Sequence, residues 1–400
     1  MKIRVGILTV PKIEYERREN TFVLKNVRIG IGFHWDRRED QEFQGTLEIK
    51  PTPNPSLKGG APWQVAINTI DLEDYLCSVI SSEMNANSPM ELLKAHAVIS
   101  RSWALRAISQ RPHEQIVNGQ IVNDFDVCAD DHCQRYEGLR RMNERAIEAV
   151  NATRGQVLIS DQVTKDQVTK DQVRSGEWEI CDCRYHKCCG GRTEIWRTCW
   201  EDIDVPYIQS VQCDWCSRDR FAQREKTAPL KEKSSFQSEG RSFDFLLSTI
   251  LNDYDQETRD FHDWQVRYTQ EELSEIIRTK SGIDFGEILD LVPLKRGASG
   301  RIYELKIVGT KHTEVIGKEL KIRLWLSKTC LYSSWFNIKK ESKVESQKSK
   351  AINFTLTGHG WGHGAGLCQI GAAVMASEGF SYDQILAHYY VGTRLSTTTR

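Results

Sequence analysis

The chain has 400 residues, 39% of them apolar and 27% charged, a balance that excludes a disordered polymer and suits a globular protein too large for one small core. A formal net charge of −1 excludes a global field that would gather nucleic acid or an anionic membrane surface. No apolar run approaches the roughly 18 residues that a bilayer-spanning helix needs.

In chain order, residues 1 to 70 alternate apolar and polar positions ("KIRVGILTV", "TFVLKNVRIGIGF", "QGTLEIK", "WQVAINTI") with Pro and Gly breaks, which predicts a run of β-strands. The opening "MKIRVGILTV" reads as the first of these strands, because a secretory signal needs a longer apolar core and a small-residue cleavage site. Two helices come next. Asp71 or Asp74 can cap "LEDYLCSVISSEM". "NSPMELLKAHAVISRSWALRAIS" opens with a Ser88 to Glu91 capping box and Pro89 in the first turn. Residues 161 to 174 repeat "DQVTK", which reads as an exposed loop or hairpin tip without a catalytic role. A Cys-rich stretch ends near 216. Residues 217–289 look inserted, polar and then helical, with a Thr269 to Glu272 capping box. Strands return from 290 ("ILDLVPL", "RIYELKIVG", "ELKIRLWL"), with two helices after them, the last capped by Ser381 and Gln384. Strands and helices are segregated more than alternated, which predicts an α+β fold with β-rich segments, a helical catalytic subregion and a helical insertion. The boundaries expected are 1–70, 71–216, 217–289 and 290–400.

Nine of the twelve cysteines lie between Cys128 and Cys216, including the vicinal Cys188 and Cys189 and a CxxC at Cys213 and Cys216. Such clustering points to a metal site or to local disulfides, and both readings stand.

The first helix carries an informative carboxylate. Leu72, Leu76 and Val79 form a stripe at spacings of four and three, and Glu83 is the next position on it. A helix that buries this face carries Glu83 against the core or into a cleft wall, where desolvation can hold a carboxyl protonated as a general acid. The alternative is a helix end at which Glu83 swings into water. Arg101, on the second helix, is positioned to reach a substrate oxygen or to pair with a carboxylate. His96 beside it reads as a packed side chain.

The stretch "GHGWGHGAG" at 358–366 places glycine at every second position, with His359, Trp361 and His363 between. If extended, it shows bare backbone on one face and two imidazoles flanking an indole on the other, a surface suited to a sugar ring. It equally suits a tight structural crossing. A zinc-protease reading of the His pair fails, because glycines oppose the helix that such a pair requires.

Three stretches, "SSEMNANSPMELLKAHAVISRSWAL", "YHKCCGGRTE" and "GHGWGHGAGLCQIGAAVMASEGFSYDQILAHYYVGT", together resemble the stage II sporulation protein D (SpoIID) / LytB amidase-enhancer family of bacteria. The resemblance extends over most of the chain except 217–289 and the DQVTK repeat. It implies a peptidoglycan-active protein of the cell envelope or periplasm, although no signal peptide is read in the chain. Sporulation members are lytic transglycosylases that cleave glycan strands lacking stem peptides, with a catalytic Glu that aligns with Glu83. LytB-type members are instead enhancers of an N-acetylmuramoyl-L-alanine amidase. The implied partners are glycan strands and a cell-wall amidase, with no nucleic acid and no transmembrane segment. Glu83 and Arg101 are the catalytic candidates; Tyr185, His186, His359, Trp361, His363 and Gln369 are the substrate-binding ones. The segment "DVCADDHCQRY" also matches, and some members bind zinc there. Cys128, His132 and Cys133 would supply two thiolates and an imidazole, with a fourth ligand from Cys188, Cys189, His186 or water. A Cys128–Cys133 disulfide is the alternative. Cys188 and Cys189 depart from the small hydroxylated residues usual after "YH" in the family.

Overall fold

The structure is a computed structural model that describes residues 1–33, 35–52, 63–109, 115–117, 120–122, 125–130, 132–161, 178–216, 263–346 and 349–398. Most of the DQVTK repeat and residues 217–262 therefore lie outside the described residues. The fold is α+β, with several small sheets and eight helices among the described residues. The helices are α1 (Leu72–Glu83), α2 (Met90–Ser109), α3 (Glu144–Ala152), α4 (Trp196–Cys199), α5 (Gln270–Ser281), α6 (Glu319–Trp325), α7 (Gln369–Ser377) and α8 (Tyr382–Tyr389).

The expected N-terminal strands form. Lys2–Val10 pairs antiparallel with Trp63–Asp71 and runs parallel to the short strand Val127–Cys128. Trp63–Asp71 leads directly into α1, whose cap is Asp71, its carboxylate accepting the Glu73 N–H at 3.0 Å. Helix α2 is buried almost all round and carries small or hydroxylated residues, Ala95, Ala97, Ser100, Ser102 and Ala104, where its neighbours approach. It packs on α1, α3, α7, α8 and the strand Gln156–Ser160, and so forms the axis of the first core. The Ser88–Glu91 capping box does not form. The Ser88 hydroxyl is buried without a hydrogen-bond partner among the described residues, while Glu91 accepts from Tyr382 N–H and Lys94. The Thr269–Glu272 and Ser381–Gln384 boxes are both present.

A second core is built from α5, from α6, in which "ELKIRLWL" forms a helix and not the strand expected, burying Ile322 and Leu326 four apart, and from the strands Asp263–Thr269, Ile288–Arg296, Ile302–Gly309, Phe336–Ser346 and Ser349–His359. Residues 263–281 thus pack with the strands that lie beyond position 287. Two buried charges join the cores. Glu194, whose N–H bonds Gly364 O, accepts from Ala298 N–H, Ser299 N–H and the Ser299 hydroxyl at 3.1, 3.0 and 2.6 Å. Arg301 reaches the other way and donates to the carbonyls of Cys188, Cys189 and Gly362.

The glycine-alternating stretch is not an extended strand past His359. Gly360, Gly362, Gly364 and Gly366 have φ of +74°, +97°, +88° and +71°, so every second residue sits in the left-handed region that glycine alone adopts cheaply. Space forbids side chains there too. A Cβ on Gly364 would lie 2.5 Å from the Arg301 guanidinium carbon, and one on Gly366 would overlap the Arg184 carbonyl.

Candidate functional site

A cleft of about 670 Å³ opens where α1, the Cys-rich segment and the glycine stretch meet. Its lining includes Glu83, Tyr185, His186, Trp361, His363, Gln369, His132 and Cys133, which are eight of the residues singled out from sequence. Glu83 comes from the last turn of α1, whose stripe residues Leu72, Leu76 and Val79 are buried in the first core. Its Oε1 accepts from the Arg135 backbone N–H and from the Tyr185 hydroxyl, each at 3.1 Å. Tyr185 lies in the two-residue strand Tyr185–His186, which runs parallel to Leu367–Cys368 and so holds the phenol at the carboxylate. Burial, then the nearby Glu83 charge, push the Tyr185 phenol well above its ordinary range, so it remains a donor. Among the described residues the other carboxylates of the lining are engaged: Asp182 with Arg184 at 2.6 Å, Glu319 with Arg323 at 3.4 Å, and Asp126 with the Arg4 N–H at 2.9 Å.

Two imidazoles of the lining, His363 and His186, are fixed by the backbone of Ala365. His363 is pushed well below its ordinary value, by burial first and then by the neighbouring His186. Its Nδ1 accepts the Ala365 N–H at 3.1 Å, which leaves the proton on Nε2. His186 donates from Nδ1 to the Ala365 carbonyl at 3.1 Å; its Nε2 is buried and without a partner among the described residues. Gln369 is spent on His96, whose ring stands edge-on to Tyr185 at 4.4 Å. Burial pushes His96 down to about 3. It is the packed side chain expected.

Arg101 and His359 are placed elsewhere. The Arg101 guanidinium forms a bidentate, buried pair with Glu73 (2.9 and 2.7 Å) and caps the Gln156 carbonyl, and it does not line the cleft. Of the two readings of Arg101, the carboxylate pairing is the one realised. His359 ends its strand beside Asp263, Nδ1 to Oδ1 2.6 Å, against the Trp335 ring. The positive φ at Gly360 and Gly362 turns the backbone, so His359 and His363 do not share one wall.

The aromatic lining is not foreseen from the sequence. Trp35, Trp103 and Trp200 join Trp361 around the cleft. The Arg184 guanidinium lies 4.8 Å over the Trp200 ring and 5.2 Å over Trp196, and Arg135 lies 5.4 Å over Trp35. The tryptophans are visible one by one, but only folding collects residues 35, 103, 200 and 361.

Two groups of metal-ligating side chains are present among the described residues. Cys128, His132 and Cys133 place their ligand atoms within 4.8 Å of one another beside the cleft. The buried sulfurs of Cys189, Cys213, Cys216 and Cys368 do the same behind it, a set able to hold a metal ion such as zinc.

Residues 63–159 match the family described as stage II sporulation protein, and residues 194–366 match a domain of unknown function. The chain is 24% identical over 357 residues to stage II sporulation protein D of Bacillus subtilis, covering 88% of this chain and 81% of that protein. An uncharacterized protein of Brachyspira hyodysenteriae is 24% identical over 82% of this chain and 67% of its own length. The amidase enhancer of Bacillus subtilis is 25% identical over 80% of this chain but only 40% of the relative. No helix of the described residues is long and apolar enough to cross a membrane.

Proposed function

Because the chain belongs to the stage II sporulation protein D family, we propose that the cleft binds peptidoglycan glycan strands and cleaves them as a lytic transglycosylase, with Glu83 as the only acid/base. The observation that carries this reading is the setting of Glu83. Its carboxylate lines an aromatic cleft and is oriented by two neutral donors, while the other acids of the lining are tied to a guanidinium or to backbone. Hydrolytic glycosidases need a second carboxylate to activate water or to attack. A transglycosylase does not. Protonated Glu83 gives its proton to the glycosidic oxygen as the bond from C1 breaks. The carboxylate then takes the proton from the muramyl 6-hydroxyl as that oxygen closes onto C1. The product is a 1,6-anhydro end, no water is consumed, and Glu83 is returned protonated.

Tyr185 holds the carboxylate through both states, and the aromatic lining gives the cleft an apolar surface suited to a sugar ring. The unpartnered Nε2 of His186 is available to hydrogen-bond a substrate hydroxyl. Cys128, His132 and Cys133 fit zinc by donor type and spacing, and a bound ion would fix this segment in place beside the cleft.

Purified glycan strands without stem peptides, incubated with wild type and with Glu83→Gln, test the reading by mass spectrometry. Anhydro-ended products from wild type alone are expected; their absence from wild type sinks it. The amidase-enhancer relative favours a second reading, a glycan-binding regulator without cleavage. That reading requires stimulation of an amidase that survives Glu83→Gln.

A further inference from the structure

Behind the cleft, remote positions in sequence bring four thiols together. Cys189 comes just after the strand Tyr185–His186, Cys213 and Cys216 sit in one turn, and Cys368 closes the glycine stretch at the N-cap of α7. All four are fully buried and none forms a disulfide. We propose that Cys189, Cys213, Cys216 and Cys368 bind one zinc ion as a tetrathiolate site that staples the glycine stretch to the wall carrying Tyr185 and His186.

The spacing suits a single ion. A tetrahedral zinc with bonds of about 2.3 Å sets its sulfurs about 3.8 Å apart. The four sulfurs lie within 4.8 Å of one another, the Cys189–Cys216 pair at 3.1 Å, which is too compact for a cluster of several irons. The backbone is also arranged for thiolates. Cys368 Sγ accepts the N–H of Cys189 at 3.3 Å and of Gly371 at 3.4 Å, and Cys189 Sγ accepts that of Gly191 at 3.4 Å. The Gly371 N–H belongs to the first turn of α7, whose dipole favours negative charge.

Buried Arg301 supplies an independent argument. It is completely inaccessible, yet among the described residues its guanidinium is bonded only to the carbonyls of Cys188, Cys189 and Gly362 and to the Ser299 hydroxyl. A buried cation served by neutral acceptors needs negative charge nearby. Ser299 relays to Glu194. Four thiolates around one divalent cation form a doubly negative centre immediately behind the Cys188 and Cys189 carbonyls. Binding releases the four thiol protons to solvent and changes no oxidation state.

The test counts metal on the full chain purified with zinc(II). Wild type is expected to hold one zinc more per chain than Cys213→Ser/Cys216→Ser, and Cys128→Ser/Cys133→Ser is expected to leave that ion in place. Cobalt(II) exchanged into wild type should show intense sulfur-to-cobalt charge-transfer absorption that the Cys213→Ser/Cys216→Ser variant lacks. Should that variant fail to fold, alkylation of native wild type and then peptide mass spectrometry decides. Cys189, Cys213, Cys216 and Cys368 should resist reagent until a strong chelator is added, then react together. Equal zinc in wild type and the Cys213→Ser/Cys216→Ser variant, iron in the site, a Cys189–Cys216 disulfide, or reactivity indifferent to chelator would each overturn the proposal. None of these readouts depends on glycan cleavage.

Discussion

Helix α1 carries a partly or fully buried carboxylate near each end, and the two ends have opposite surroundings. Glu73, in the first turn, meets the Arg101 guanidinium in a largely buried two-bond pair. Glu83, one residue short of the C-cap, meets a phenol and a backbone amide beside an open cleft. The guanidinium pairs with the first through two hydrogen bonds and makes it part of the scaffold. The Tyr185 hydroxyl and the Arg135 amide orient the second at the cleft wall. Under the proposed function, that contrast in partners separates the scaffold acid from the cleft acid.

The largest expected effect tests the functional end. Glu83→Gln should lower glycan cleavage on the order of 100- to 10,000-fold, the usual worth of a general acid/base, while leaving the thermal midpoint nearly unchanged. Arg101→Met should do the reverse, costing about 3–5 kcal/mol in denaturant unfolding because Glu73 is left buried and unpaired, with cleavage per folded molecule retained. Loss of cleavage in folded Arg101→Met would break the comparison. Gly364→Ala should cost about 1–3 kcal/mol for the left-handed backbone alone, and more as Arg301 is displaced.

Acid stability sharpens the same distinction through histidine. His96 is depressed from an ordinary 6.5 to about 3 in the folded protein, so the unfolded chain takes up a proton that the native one refuses. Stability is therefore present above about pH 6.5 and is lost as pH falls through the window down to about 3. Between about pH 7 and pH 5 the loss from this one ring is about 2 kcal/mol. His363, also depressed, adds to it in the same direction. Urea unfolding of His96→Gln should show a shallower decline over that interval than wild type. The smallest effect is expected for Tyr185→Phe, which removes one donor to Glu83; a net loss of about 1 kcal/mol corresponds to a several-fold drop in cleavage rate.

Much of this contrast is legible before folding. The stripe Leu72–Leu76–Val79 brings Glu83 to the edge of the apolar face, and the structure sets its carboxylate on the cleft wall. The period-two pattern of residues 1–70 and the boxes at Thr269 and Ser381 correspond to observed strands and caps. The Ser88 cap fails because Tyr382, nearly three hundred residues away, supplies the donor that Glu91 takes. The alternating glycines suggest a strand because period two is also the period of alternating left-handed turns, and sequence periodicity does not carry the sign of φ.

What the sequence determined by itself is local: helix stripes, capping chemistry, the acidic position at the end of α1, and a glycine pattern that forbids side chains. What only the tertiary structure decided is pairing across distance. It gave Arg101 to Glu73 and not to the cleft, parted His359 from His363, gathered four tryptophans around Glu83, and closed four cysteines from three segments into one buried group. The physical reason is the range of the interactions. Capping and amphipathicity act within a few residues of backbone, whereas ion pairs, ring contacts and thiol clusters depend on distances that the packed core alone sets.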